Sequence, residues 1–158
     1  MKVSIICVGK IKEKFYTDAI SEYAKRMKRF AEFQITEIPD ERIPDNASEK
    51  EKEAIKSCEG EKILAKIKAG SYVISLCIEG KTLSSAELAH TINNAYQTTS
   101  HIVFIIGGSL GLSDAVKAKS SLRLSFGRMT LPHQLMRVVL SEQIYRSFMI
   151  NSGSMYHK

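Results

Sequence analysis

The chain has 158 residues, 44% hydrophobic and 25% charged, the proportions of one ordinary globular domain spanning residues 1–158. Those proportions exclude a disordered, collagen-like or disulfide-scaffold protein, and a domain of this size buries enough surface to fold without a metal or a disulfide. The formal net charge is +6. All of it falls in Ala115–Lys158, where Lys117, Lys119, Arg123, Arg128, Arg137, Arg146 and Lys158 face only Glu142, while the preceding residues balance. Such an asymmetry points to a polyanionic partner, nucleic acid first, against the plainer reading of a mildly basic, soluble surface.

Val3–Val8 is a continuous apolar run, as expected of a buried parallel strand. The run is too short for a signal peptide, and no apolar stretch approaches the ~20 residues of a membrane span. A cytoplasmic protein with no membrane partner is therefore expected. Phe15–Arg29 reads as a helix, with Tyr16, Ile20, Tyr23 and Met27 on one face. Phe33–Ile38 alternates as a second strand, and Pro39 and Pro44 bracket a polar loop. Ser48-Glu49-Lys50-Glu51 has capping-box form and opens a charged helix to about Lys66, closed by Ala69-Gly70.

Tyr72–Ile78 reads as the third strand, with Glu79-Gly80 turning the chain. Ser84-Ser85-Ala86-Glu87 is a second capping box, with its helix running to about Tyr96. Ile102–Ile106 is the most apolar strand and breaks into Gly107-Gly108-Ser109-Leu110-Gly111. Ser113 caps a short helix, Leu122–Ser125 is the last strand, and Pro132 opens a long helix to Phe148. Strands alternating with helices predict an α/β domain with a mainly parallel sheet flanked by helices.

Ligands of such sheets bind at the carboxyl ends of strands, so the candidate loops are Glu79–Leu83, Gly107–Leu112 and Phe126–Leu131. Glycines at 107, 108 and 111 let backbone amides approach a ligand closely, although neither a dinucleotide fingerprint nor a P-loop is present. The long helix carries apolar residues widely around its circumference, which suits burial on two sides. His133 in its first turn could cap, pack or act as a base, and His90 and His101 read as surface residues. Cys7, Cys58 and Cys77 lack zinc spacing, and Cys7 and Cys77 suit small core positions. No Ser/His/Asp order and no HExxH is present, so hydrolytic and metal-dependent chemistry lack support and no metal is expected. Tyr156-His157-Lys158 could stack on and pair with an exposed RNA base.

Several separated segments share one resemblance: Val8-Gly9-Lys10, Leu76–Lys81 (LCIEGK), Ile105–Leu112 (IIGGSLGL), Met129–Val138 (MTLPHQLMRV) continuing to Ser141–Arg146, and the terminal Tyr156-His157-Lys158. Over its whole length the chain resembles the small SPOUT-class methyltransferases that methylate N3 of a pseudouridine in large-subunit ribosomal RNA. Cys77 departs from the acidic residue common there. The resemblance implies a C-terminal α/β trefoil knot, a homodimer, and S-adenosylmethionine as methyl donor. It implies that Leu76, Gly108 and the run Gly127, Arg128, Met129, Thr130, Leu131 and Pro132 line the cofactor pocket. Arg137, Arg146 and His157 are the catalytic candidates, with Tyr156 positioning the base and His157 acting from the partner subunit. So compact an enzyme is expected to need the assembled ribosome to recognise its RNA. Two other classes stay open on the residues alone. One is a nucleotide- or flavin-dependent oxidoreductase, which lacks its fingerprint; the other is a non-catalytic RNA-binding factor, which leaves the glycine loop unexplained.

Overall fold

Strands Lys2–Val8 and His101–Ile106, apolar on both faces, need helices on both sides, and the computed structural model, which describes residues 1–157, has that arrangement. In chain order the elements are β1 (Lys2–Val8), α1 (Lys14–Met27), β2 (Glu32–Ile38), α2 (Glu49–Leu64) and β3 (Tyr72–Thr82). They continue with α3 (Ser85–Ala95), β4 (His101–Ile106), α4 (Asp114–Lys119), β5 (Leu122–Ser125) and α5 (His133–Asn151). All five strands are parallel, in the order β2-β1-β4-β3-β5.

Alternation along each strand divides the core in two. Val3, Ile5, Ile74, Ile102 and Phe104 pack with residues of α1, α3 and α5, including Met27, Ile92, Leu140 and Phe148. Ile6, Val8, Val73, Val103 and Ile105 pack with Ile63 of α2 and Val116 of α4. Cys7 and Cys77 are buried as expected, and burial pushes the Cys7 thiol up to about 11. The helix after β3 and the helix after β4 thus cover opposite faces, and the neighbouring strand ends open a crevice between them.

Four expectations need correction. β3 does not stop at Ile78. It continues to Thr82 beside β5, with a register shift between Leu76 and Lys81. Gly80 serves this close approach rather than a turn, since a Cβ there would lie 2.7 Å from the Arg123 carbonyl oxygen. His101 is not a surface residue. Its ring is half-buried, with Nε2 2.8 Å from Ser4 Oγ and Nδ1 3.2 Å from Ser71 Oγ. The Ser48 capping box is only half formed: Ser48 Oγ accepts from the Glu51 amide, but the Glu51 carboxylate takes the Ser48 hydroxyl. The box at Ser84 and Glu87 is complete. Pro132 is the N-cap of α5, and the helix runs past Phe148 to Asn151, where the Asn151 side chain donates to the Ala89 carbonyl.

Candidate active site

A cavity of about 430 Å³ occupies the crevice at the carboxyl ends of β3, β4 and β5. That volume falls in the range of pockets for drug-sized ligands. Among the residues foreseen from sequence, Leu76, Gly108, Gly127, Met129, Thr130 and Leu131 line it. Two do not. The Arg128 side chain is exposed, and Pro132 is occupied as the cap of α5. Residues not singled out as cofactor contacts complete the wall: Ile78, Ile106, Leu124 and Met136 supply apolar surface, and Glu79 and Lys117 form an ion pair of 2.6 Å. The rule that ligands meet strand ends pointed to their loops, but nothing local marked Met136, which sits one turn into a helix.

The glycine loop has a packing reason as well as a binding one. A Cβ on Gly107 would lie 2.9 Å from the Leu112 side chain, and one on Gly108 would lie 3.1 Å from Glu59 Oε2. Gly111 and Gly127 have φ of +84° and +109°, a region that side chains other than hydrogen rarely adopt. Glu59 lies behind the loop on α2, and burial pushes its carboxyl upward against the opposing effect of the Glu41 amide. The Lys117 ammonium holds the Glu79 carboxyl below the ordinary range. Partial burial, then the Arg137 charge, lowers the His133 imidazole, while the Gly107 carbonyl opposes them. His133 thus stands at the pocket wall with its affinity for a proton reduced.

Such a cavity offers apolar side chains for a flat base or a thioether-like group and glycine backbone for polar ends. No cluster of metal ligands is found among the described residues.

The four catalytic candidates fall in two different places. Arg146, Tyr156 and His157 come together. Arg146 Nη2 lies 2.7 Å from Glu142 Oε1, and its guanidinium sits over the Tyr156 ring, 4.8 Å from the centroid. Arg146 Nη1 is 3.4 Å from His157 Nδ1, and the Tyr156 hydroxyl is 3.4 Å from Glu142 Oε1. Tyr156 also packs edge-on against Tyr145, so the tail is attached at that ring. Arg137 stands apart and only 1% exposed. It donates to Glu37 Oε1 at 3.1 Å and to the Val8 and Gly9 carbonyls at 3.0 and 2.8 Å, joining α5 to the ends of β1 and β2. From Met136, the last cavity-lining residue of α5, to Arg146 is about 15 Å along the helix, at 1.5 Å per residue. None of Arg146, Tyr156 and His157 lines the cavity.

Against this geometry, a family model described as "Predicted SPOUT methyltransferase" matches residues 1–157. The chain belongs to the SPOUT methyltransferase family. It is 57% identical, over the full length of both chains, to a Lactococcus lactis subsp. cremoris protein named ribosomal RNA large subunit methyltransferase H. It is 56% identical, again over all of both chains, to a protein of the same name from Lactiplantibacillus plantarum. Among solved structures it resembles a probable methylase family protein from Haemophilus influenzae, with a TM-score of 0.53 and 14% identity. That likeness covers 96% of this chain and 66% of the other, and it concerns the fold. SPOUT membership accounts for the glycine-walled crevice at the end of a parallel sheet and makes the chain a methyltransferase.

Proposed function

We propose that this chain transfers a methyl group from S-adenosylmethionine to N3 of a pseudouridine in large-subunit ribosomal RNA, acting in the cytoplasm on the assembled ribosome. The observation that carries the reading is the glycine-walled cavity at the switch point of a SPOUT chain whose full-length relatives are named for large-subunit RNA. The residues present fit the cofactor. Leu76, Ile106, Leu131 and Met136 offer apolar walls to an adenine, and Gly107, Gly108 and Gly111 bring backbone to the cavity wall. Bound there, S-adenosylmethionine supplies a methyl carbon on a positively charged sulfur, open to in-line displacement without a metal. Met129, Thr130 and Leu131 line the cavity from the β5–α5 side.

The protein must hold donor and acceptor roughly 3–3.5 Å apart and ease loss of the N3 proton. Arg146 and His157 are the groups for the second task, with the Tyr156 ring stacking the base. Their separation from the cavity along α5 favours a homodimer in which one chain's tail serves its partner's pocket. Leu135, Val138 and Val139 are only half-buried in the single chain, which leaves apolar surface on α5 for that contact. Support for the knot comes from the course of the chain after β5. β5 pairs with β3, the chain after it runs past the β3–α3 connection, and it then enters α5, which packs on α1 and α3.

The test is incubation with S-adenosylmethionine and ribosomes from a strain lacking this protein, followed by nuclease digestion and mass spectrometry. A 14-Da gain on one pseudouridine of the large-subunit RNA is expected, with His157→Ala cutting turnover and leaving cofactor affinity intact. A gain on another nucleoside, or equal transfer to naked RNA, overturns the corresponding part of the reading.

A further inference from the structure

The net positive charge of the sequence lies in its last quarter, yet the fold carries a second basic segment to the same end of the sheet. The connection after β1 reads Gly9-Lys10-Ile11-Lys12-Glu13-Lys14-Phe15. The amides of Lys12 and Glu13 donate to Gln134 Oε1 at 2.9 and 3.4 Å. Gln134 follows His133, which lines the cavity, so this connection is fastened across the first turn of α5 beside the pocket. Lys14 is engaged by Asp18 at 2.6 Å. Lys10 and Lys12 are exposed and form no ion pair among the described residues. Next to them Phe15 is 62% exposed, with its ring held 4.4 Å from that of Tyr16.

An exposed, sterically supported aromatic ring beside two unpaired lysines matches the chemistry of unpaired RNA, whose bases stack on rings and whose phosphates pair with cations. A protein partner or a membrane would call for a broader apolar surface than this one ring provides. We propose that the Gly9–Phe15 connection is a second RNA-contact surface, in which Phe15 stacks on an unpaired base and Lys10 and Lys12 take backbone phosphates. This contact rests on the RNA-methylating reading and adds to it a docking point contributed by the charge-balanced part of the chain. Phe15 and the two lysines do not line the cavity, so they are expected to act on substrate affinity.

The experiment is steady-state methyl transfer at saturating S-adenosylmethionine, with ribosomes from a strain lacking this protein as the varied substrate. Phe15→Ala is expected to raise KM for ribosomes about tenfold, within the range of stacking losses, with kcat and cofactor Kd unchanged. Phe15→Trp is expected to restore the wild-type KM. Lys10→Ala/Lys12→Ala is expected to raise KM and to make the salt dependence of kcat/KM shallower by about one to two units. A KM within twofold of wild type for both alanine variants overturns the proposal, as does a changed sedimentation coefficient for Phe15→Ala, which would assign the ring to a contact between subunits. Filter binding to the same ribosomes separates the two claims. An inactive wild-type protein contradicts the proposed reaction, whereas a Kd unchanged by the substitutions contradicts this surface.

Discussion

Arg137 shows how far one buried side chain can depart from its sequence expectation. Spacing put it on the helix with Arg146, open to a catalytic or a solvated role. The fold gives its guanidinium to Glu37 and to two backbone carbonyls at the ends of β1. One nitrogen, Nε, is buried without a partner. Arg137→Ala removes the donors to both carbonyls, leaves Glu37 without its cation and opens a cavity. The expected loss is about 3 kcal/mol of folding stability, read from urea unfolding, and Arg137→Lys, lacking the planar fork, is expected to recover little of it. A drop in turnover with unchanged stability would return Arg137 to the reaction. The glycines were easier to read, because Gly108 beside Glu59 and Gly111 at positive φ have backbone requirements that only glycine meets without strain. Burial of a charged side chain leaves no comparable mark in one sequence, so Arg137 could not be sorted in advance.

The seam between β1, β4 and the Ser71 turn is held by an imidazole at the end of the sheet away from the cavity. Burial, then Lys2 and Lys68, lowers the His101 pKa below 6.5, with Glu32 opposing. Lys2 is itself paired with Glu32 at 2.9 Å, and Ser4 and Ser71 contact the ring. The folded chain therefore binds this proton less readily than the unfolded chain. The stabilisation is complete above about pH 6.5 and is lost as pH falls through the folded value. The melting temperature is expected to fall by a few degrees between pH 7 and 5, and His101→Asn is expected to remove much of that fall. His133 carries the same sign, so His133→Asn is expected to remove a separate part of the fall. A pH-independent melting temperature across that window contradicts the assignment. At this scale the element order, the parallel sheet and the complete capping box at Ser84 were legible, since apolar runs and cap residues act locally. The extension of β3 was not, because Glu79-Gly80 has the composition of a turn and only the approach of β5 shows what the glycine is for.

Across the whole molecule, three loops distant in sequence meet because the helices after β3 and β4 leave on opposite faces of the sheet. Which loops would bind followed from strand ends, whereas their convergence on one cavity of about 430 Å³ required the strand order. The separation of cavity and tail cluster, about 15 Å along α5 from Met136 to Arg146, is likewise a property of the folded chain, and it is the ground for the proposal that a second copy completes the site. The central claim is that this cavity is an S-adenosylmethionine site, and calorimetric titration of the purified protein with that cofactor, with NAD and FMN as controls, tests it most directly. Saturable binding of S-adenosylmethionine alone is expected, weakened at least about tenfold by Gly108→Val, whose side chain would press on Glu59 and Val8 behind the loop. Binding of NAD or FMN in its place, or cofactor binding that Gly108→Val leaves unchanged in a folded protein, would contradict the account.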